Sequence, residues 1–76
     1  MGSLVVMEII DRKLAAPILE CLEEKGVKCG ELPGTSKVEV NSDADYEDAV
    51  RDLEEKLADC DREWKRALRI VPSTQT

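Results

Sequence analysis

The sequence contains no histidine and no phenylalanine, and it has one tryptophan and one tyrosine in 76 residues. Without histidine, a cysteine lacks the side chain that most often activates it as a nucleophile. A zinc site would have to rely on three cysteines where four ligands are usual. The few glycines form no phosphate-binding pattern. We therefore predict that the chain is not an enzyme and has no catalytic, cofactor or metal site.

Cysteine is also scarce, and its number is odd: Cys21, Cys29 and Cys60 are the three in the chain. No two of them have the C-x-x-C spacing, and a secreted disulfide framework normally uses an even number. Cys21 and Cys60 lie on apolar helical stripes, and Cys29 lies on the apolar face of a predicted strand. We predict three reduced thiols packed in the core, no disulfide and a cytoplasmic location.

Long hydrophobic runs are absent. The most apolar stretch, residues 4–10, includes Glu8 and is far shorter than the about 20 residues that a transmembrane helix requires. No positively charged segment precedes it, as a secretory signal would need. We expect no membrane association.

Basic residues are too few to balance the acidic ones, and the net charge is −6. Residues 43–63 contain 10 acidic and 3 basic side chains, whereas residues 64–76 contain three basic and no acidic ones. Proteins grip a nucleic-acid backbone with clustered Lys and Arg, so we predict no direct nucleic-acid binding. An acidic helix could instead act as a decoy that occupies a nucleic-acid-binding groove of a partner protein.

The first half of the chain favours a strand, a helix and a hairpin. Residues 3–10 are rich in β-branched side chains, which is typical of a central strand. Residues 11–27 have helical periodicity, with Asp11 as N-cap and Gly26 just beyond the C-terminus. Because Pro17 suits only a first turn, the regular part of this helix is expected to begin near residue 15. Residues 27–41 alternate about a Pro-Gly turn.

The second half allows two interpretations. Residues 45–71 contain no glycine or proline, and their apolar side chains recur at helical spacing from Tyr46 to Val71. This pattern favours one long helix. The alternative is a helix that ends near Cys60 and a last strand at 65–71, with Leu68 and Ile70 pointing inward.

The predicted fold is α+β: a small two-layer sandwich of order β-α-β-β-α with a long C-terminal helix, in one domain over residues 1–71. The alternative interpretation gives the ferredoxin-like order β-α-β-β-α-β. Residues 72–76 are predicted to be a disordered polar tail.

The function that these features favour is a non-enzymatic protein–protein interaction module, an adaptor or inhibitor, which acts as a homodimer through its acidic C-terminal helix. A domain of this size buries little surface, and a second protein or a second copy would add stability. The candidate partner-binding residues are Trp64, Arg66, Ala67, Arg69 and Val71, because Trp and Arg are enriched at binding hot spots. The ferredoxin-like alternative would instead be a regulatory domain that binds a small ligand.

Overall fold

The computed structural model describes residues 2–72. Its elements are β1 (Ser3–Ile9), α1 (Arg12–Glu24), β2 (Cys29–Glu31), β3 (Lys37–Ser42), α2 (Tyr46–Cys60), a 3₁₀ helix (Trp64–Arg66) and β4 (Leu68–Val71). The predicted α+β class is confirmed, with the β-α-β-β-α-β order of the alternative interpretation. Residues 73–76, which make up most of the predicted tail, lie outside the described residues.

The four strands form one antiparallel sheet of order β2-β3-β1-β4. β1 is an inner strand, since it pairs with β3 through Val5 and Val40 and with β4 through Met7 and Ile70. The predicted central position of this strand is confirmed, and its alternate residues Val5, Met7 and Ile9 are the ones buried in the core.

Both helices pack against the same face of the sheet. Alternate side chains of the strands meet the apolar stripes of the helices in one core, which consists of Val5, Met7, Ile9, Ala15, Ile18, Leu22, Val38, Val40, Ala49, Leu53, Leu57, Trp64, Ala67 and Leu68. The opposite face of the sheet carries mixed side chains, among them Glu8, Glu39 and Leu4, which is 43% exposed. The predicted two-layer arrangement is therefore present, with one layer of helices and one of strands.

The residues that cap α1 are the predicted ones, but Pro17 does not lie in the first turn as predicted. The Asp11 carboxylate accepts hydrogen bonds from the backbone N–H groups of Lys13 (3.0 Å) and Leu14 (3.3 Å), and Gly26 has a positive φ of 89° just beyond the helix. Pro17 lies inside the helix, which begins at Arg12 and not near residue 15. The missing N–H of Pro17 leaves the Lys13 carbonyl without its helical partner. Both residues are exposed, so water can take that place.

The prediction of one long helix that continues to Val71 is wrong, because α2 ends at Cys60. Asp61 adopts an extended conformation (φ −157°), and its carboxylate accepts a hydrogen bond from the Glu63 backbone N–H at 2.9 Å. This local side-chain bond offers the backbone an alternative to the helix. The chain then makes one 3₁₀ turn, in which the Ala67 N–H donates to the Trp64 carbonyl at 2.9 Å, before it enters β4.

The apolar side chains nevertheless keep helical spacing in the sequence beyond α2, and the structure gives a physical reason. Trp64 and Ala67 are three residues apart, the repeat of a 3₁₀ helix, and both side chains point into the core with 6% and 0% exposure. The strand that follows has Leu68 buried and Ile70 half-buried against the core. The inward orientation of these two residues in the alternative interpretation is confirmed.

Within residues 2–72, neither helix combines the length and the apolar character needed to cross a bilayer.

Candidate functional site

The five residues predicted to bind a partner do not share one surface. Trp64, the first residue of the 3₁₀ helix, and Ala67, which follows that helix, are buried in the core, with 6% and 0% exposure. Trp64 fills one end of the core in a protein without phenylalanine, and such a large side chain supplies much of the buried area there. Both side chains therefore offer little surface to another molecule.

The other three predicted residues are accessible but separate. Arg66 lies on the 3₁₀ turn and forms an exposed ion pair with Glu63 at 3.3 Å. Arg69 and Val71 lie on the sheet face that is turned away from the helices, where Arg69 binds Glu8 at 2.7 Å and Val71 pairs with Val6. A helix presenting all five is absent, and their partner-binding role stays a prediction.

Two of the three cysteines form a disulfide, so the prediction of no disulfide is wrong. Cys21 of α1 and Cys60, the last residue of α2, are joined by an S–S bond with a Cα–Cα distance of 6.0 Å. Both were predicted to face the core from their helices. Because the two helices cover the same face of the sheet, their apolar stripes meet, and the two half-buried thiols meet with them. Spacing along the chain carries no signal for this pairing.

Cys29 is the remaining free cysteine among the described residues. It lies on the edge strand β2, half-buried against the core, and its thiol is 3.9 Å from the Val27 carbonyl oxygen. Burial, and secondly the negative charge of Glu23, raise the pKa of the Cys29 thiol. A raised pKa lowers the thiolate fraction, and the thiolate is the reactive form. The environment of Cys29 therefore suppresses its nucleophilicity.

The most strongly charged surface is the outer face of α2. Four exposed carboxylates at spacings of four, three and four residues form what we call the acidic stripe: Asp48, Asp52, Glu55 and Asp59. At 1.5 Å per residue, the stripe extends for about 16 Å along the helix. Exposed Glu47 and Glu54 flank it.

Few cations neutralise the acidic stripe. Lys56 binds Asp52 at 3.0 Å, and Arg51 approaches Asp48 only to 3.8 Å. Glu55 and Asp59 have no ion pair with any residue between 2 and 72. A surface of this kind attracts basic groups over a distance set by the ionic strength.

The part of the chain that the structure describes contains no group of three or more His, Cys, Asp or Glu side chains placed to hold a metal ion. The chain matches no family model, no curated protein and no solved structure. Any inference about function therefore depends on the geometry of the chain itself.

Proposed function

We propose that this chain is a non-enzymatic interaction module, an adaptor or inhibitor, that binds a protein with a basic surface through α2. The observation that carries the proposal is the acidic stripe, a rigid helical face with two carboxylates that no cation of residues 2–72 pairs with. The disulfide joins the last residue of α2 to α1, which restricts movement of that end of the helix. Complementary charge of this type accelerates association and selects among partners.

Charge argues for a different protein as the partner of this face, and not for a second copy. If two copies met through α2, two acidic stripes would face each other, and like charges across an interface are unfavourable. The homodimer predicted from the sequence stays a prediction. A homodimer formed through α2 would have a distinctive salt dependence. Raising the salt from about 0.01 M to about 1 M shortens the Debye length from about 30 Å to about 3 Å. A dimer through α2 should become tighter, whereas binding to a basic partner should weaken.

The test compares two doubly substituted proteins with the same change in net charge. Glu55→Lys with Asp59→Lys reverses part of the acidic stripe, and Glu20→Lys with Glu24→Lys reverses two exposed residues of α1. Partners would be captured on the immobilised wild-type chain at low salt and identified by mass spectrometry. Each would then be titrated against the three purified proteins.

We expect the α2 variant to lose binding to the physiological partner and the α1 variant to retain most of it. Equal losses in the two variants, affinity that does not respond to salt, or failure to capture any partner would count against the proposal. Sedimentation of the purified chain at low and high salt tests the homodimer separately. Competition by nucleic acid for the captured partner would identify the decoy form of the function.

The cytoplasmic location also stays a prediction. Its main argument was three reduced thiols, and two of these form the Cys21–Cys60 disulfide. Disulfides persist mainly in oxidising compartments. Labelling of free thiols in cells before lysis would report the redox state of Cys21 and Cys60, and a fully oxidised pair would argue against a cytoplasmic location.

A further inference from the structure

The central strand β1 is apolar on both of its faces. Val5, Met7 and Ile9 point into the core and are at most 9% exposed. The residues between them point to the sheet face that is turned away from the helices, which we call the open face, and two of these are also apolar: Leu4 and Val6. In an antiparallel sheet with one wet face, strands normally alternate between apolar and polar side chains. The open face of β1 therefore has the composition of a covered surface.

The neighbouring strand β4 extends this apolar surface. Val71 lies directly opposite Val6, and both are half-buried, whereas Leu4 is 43% exposed. Opposed side chains of paired strands lie about 5 Å apart, and Leu4 follows Val6 on the same face of β1. We call this contiguous group the apolar patch: Leu4, Val6 and Val71. Both helices pack against the other face of the sheet, so no element between residues 2 and 72 covers the patch.

The charged side chains on the open face balance one another. Glu8 lies opposite Lys37 of β3 on one side and Arg69 of β4 on the other, and it binds Arg69 at 2.7 Å. Glu39 lies opposite Val6. The charges of these two acidic and two basic side chains cancel, although the protein as a whole has a net charge of −6. A second copy would therefore meet no net like charge on the open face, in contrast to the acidic stripe.

We propose that the open face is the contact surface of a homodimer, in which the apolar patches of two copies pack against each other. A neutral surface does not select an acidic or a basic partner, whereas apolar burial stabilises contact between two such patches. Since the helices lie on the far side of each sheet, the dimer presents its two acidic stripes on opposite outer surfaces. This inference does not depend on the binding of a partner to α2.

The size of the open face limits the strength of the dimer. β1 has seven residues, which extend for about 23 Å, and the four strands together are at most about 19 Å wide. The face therefore measures at most about 440 Å² in projection. Protein interfaces of standard size bury about 800 Å² on each partner. We expect a reversible dimer that dissociates on dilution.

The first test uses the unmodified full chain from micromolar to millimolar concentration. Sedimentation equilibrium gives the average mass, and backbone amide chemical shifts locate the contact. The mass should rise toward that of a dimer, and the shifts of residues 4–8, 37–41 and 69–71 should change with concentration. The shifts of residues 46–60 in α2 should stay constant. A chain that remains monomeric at millimolar concentration, or shift changes confined to α2, would overturn the proposal.

The second test compares two substitutions that add the same charge. Leu4→Lys places an ammonium group in the apolar patch and should weaken the dimer about tenfold or more, because an unpaired charge is costly to bury. Leu4 is 43% exposed and lies outside the core, so the variant should fold, which circular dichroism checks. Ala58→Lys changes an exposed residue of α2 and should leave the dimer unchanged. Equal dimerisation of the two variants would contradict the assignment of the open face.

Discussion

Reduction of the Cys21–Cys60 disulfide should lower the free energy of unfolding by about 4 kcal/mol. The two cysteines are 39 residues apart in the sequence. In the chain-entropy description, closing a loop of that length removes about 13 cal/mol/K from the unfolded chain, which is about 4 kcal/mol at room temperature. The effect acts on the unfolded state, and the folded core keeps its contacts.

This amount is large relative to the total stability of so small a protein. A chain of 76 residues is expected to have a free energy of unfolding of about 4–11 kcal/mol. Loss of the disulfide would therefore remove between about one third and all of the stability. In a domain of this size the melting temperature should fall by about 16–32 °C.

Urea unfolding followed by the fluorescence of Trp64 measures the effect directly. Trp64 is 6% exposed in the folded chain, so its emission changes when the core opens. The oxidised protein would be compared with the protein in a phosphine reductant and with the double variant Cys21→Ser, Cys60→Ser. Cys29→Ser is the matched control, because it removes a half-buried thiol that forms no disulfide.

An unchanged urea midpoint after reduction would refute the reasoning. So would alkylation of all three cysteines in protein that was prepared and unfolded without reductant. The expected product is a single alkylated cysteine before reduction and three after it.

Other predictions concern individual side chains. Leu57→Ala truncates a fully buried residue of α2 and should cost about 2–5 kcal/mol in urea unfolding; a cost below about 1 kcal/mol would mean that the core is packed differently. Asp11→Ala should cost about 1 kcal/mol and Asp45→Ala less, because only Asp11 accepts hydrogen bonds from the helix it caps; equal losses would contradict this difference. The raised pKa of Cys29 predicts slower reaction with iodoacetamide in the folded chain than in urea between about pH 7 and 9. Because the unfolded thiol ionises at lower pH than the folded one, Cys29 should also lower stability as the pH rises above about 8.5, the ordinary pKa of a thiol; equal alkylation rates in the folded and unfolded chain would contradict the raised pKa.

Local patterns in the sequence were sufficient for most of the fold. The β-branched run of β1, the capping carboxylate of Asp11 and the glycine at 26 each act over a few residues, and each has the predicted role. The apolar spacing from Tyr46 to Cys60 predicted α2 correctly for the same reason, since a helix requires only that its own side chains share a face. The acidic character of residues 43–63 was also evident, because net charge can be counted along the chain.

The candidate binding surface was predicted less well. Trp64 and Ala67 lie on the predicted stripe but point into the core, because the stripe beyond Cys60 belongs to a 3₁₀ turn and a strand. No local signal in the sequence distinguishes a cysteine that packs against apolar core side chains from one that forms a disulfide with another cysteine.

The sequence by itself determined the α+β class, the core faces of the helices, the hairpin and the acidic character of α2, because these depend on neighbours within a few residues. Only the tertiary structure decided that residues 68–71 form a strand and that Cys21 meets Cys60. On the side of β1 that faces away from β3, the backbone N–H and C=O groups need hydrogen-bond partners. β4 supplies these partners by pairing with β1. Just beyond β1, the N–H groups of Ile10 (2.8 Å) and Asp11 (3.2 Å) donate to the Ala67 carbonyl. Those partners lie 56 to 65 residues away in the chain, and for that reason local helical spacing could not reveal them.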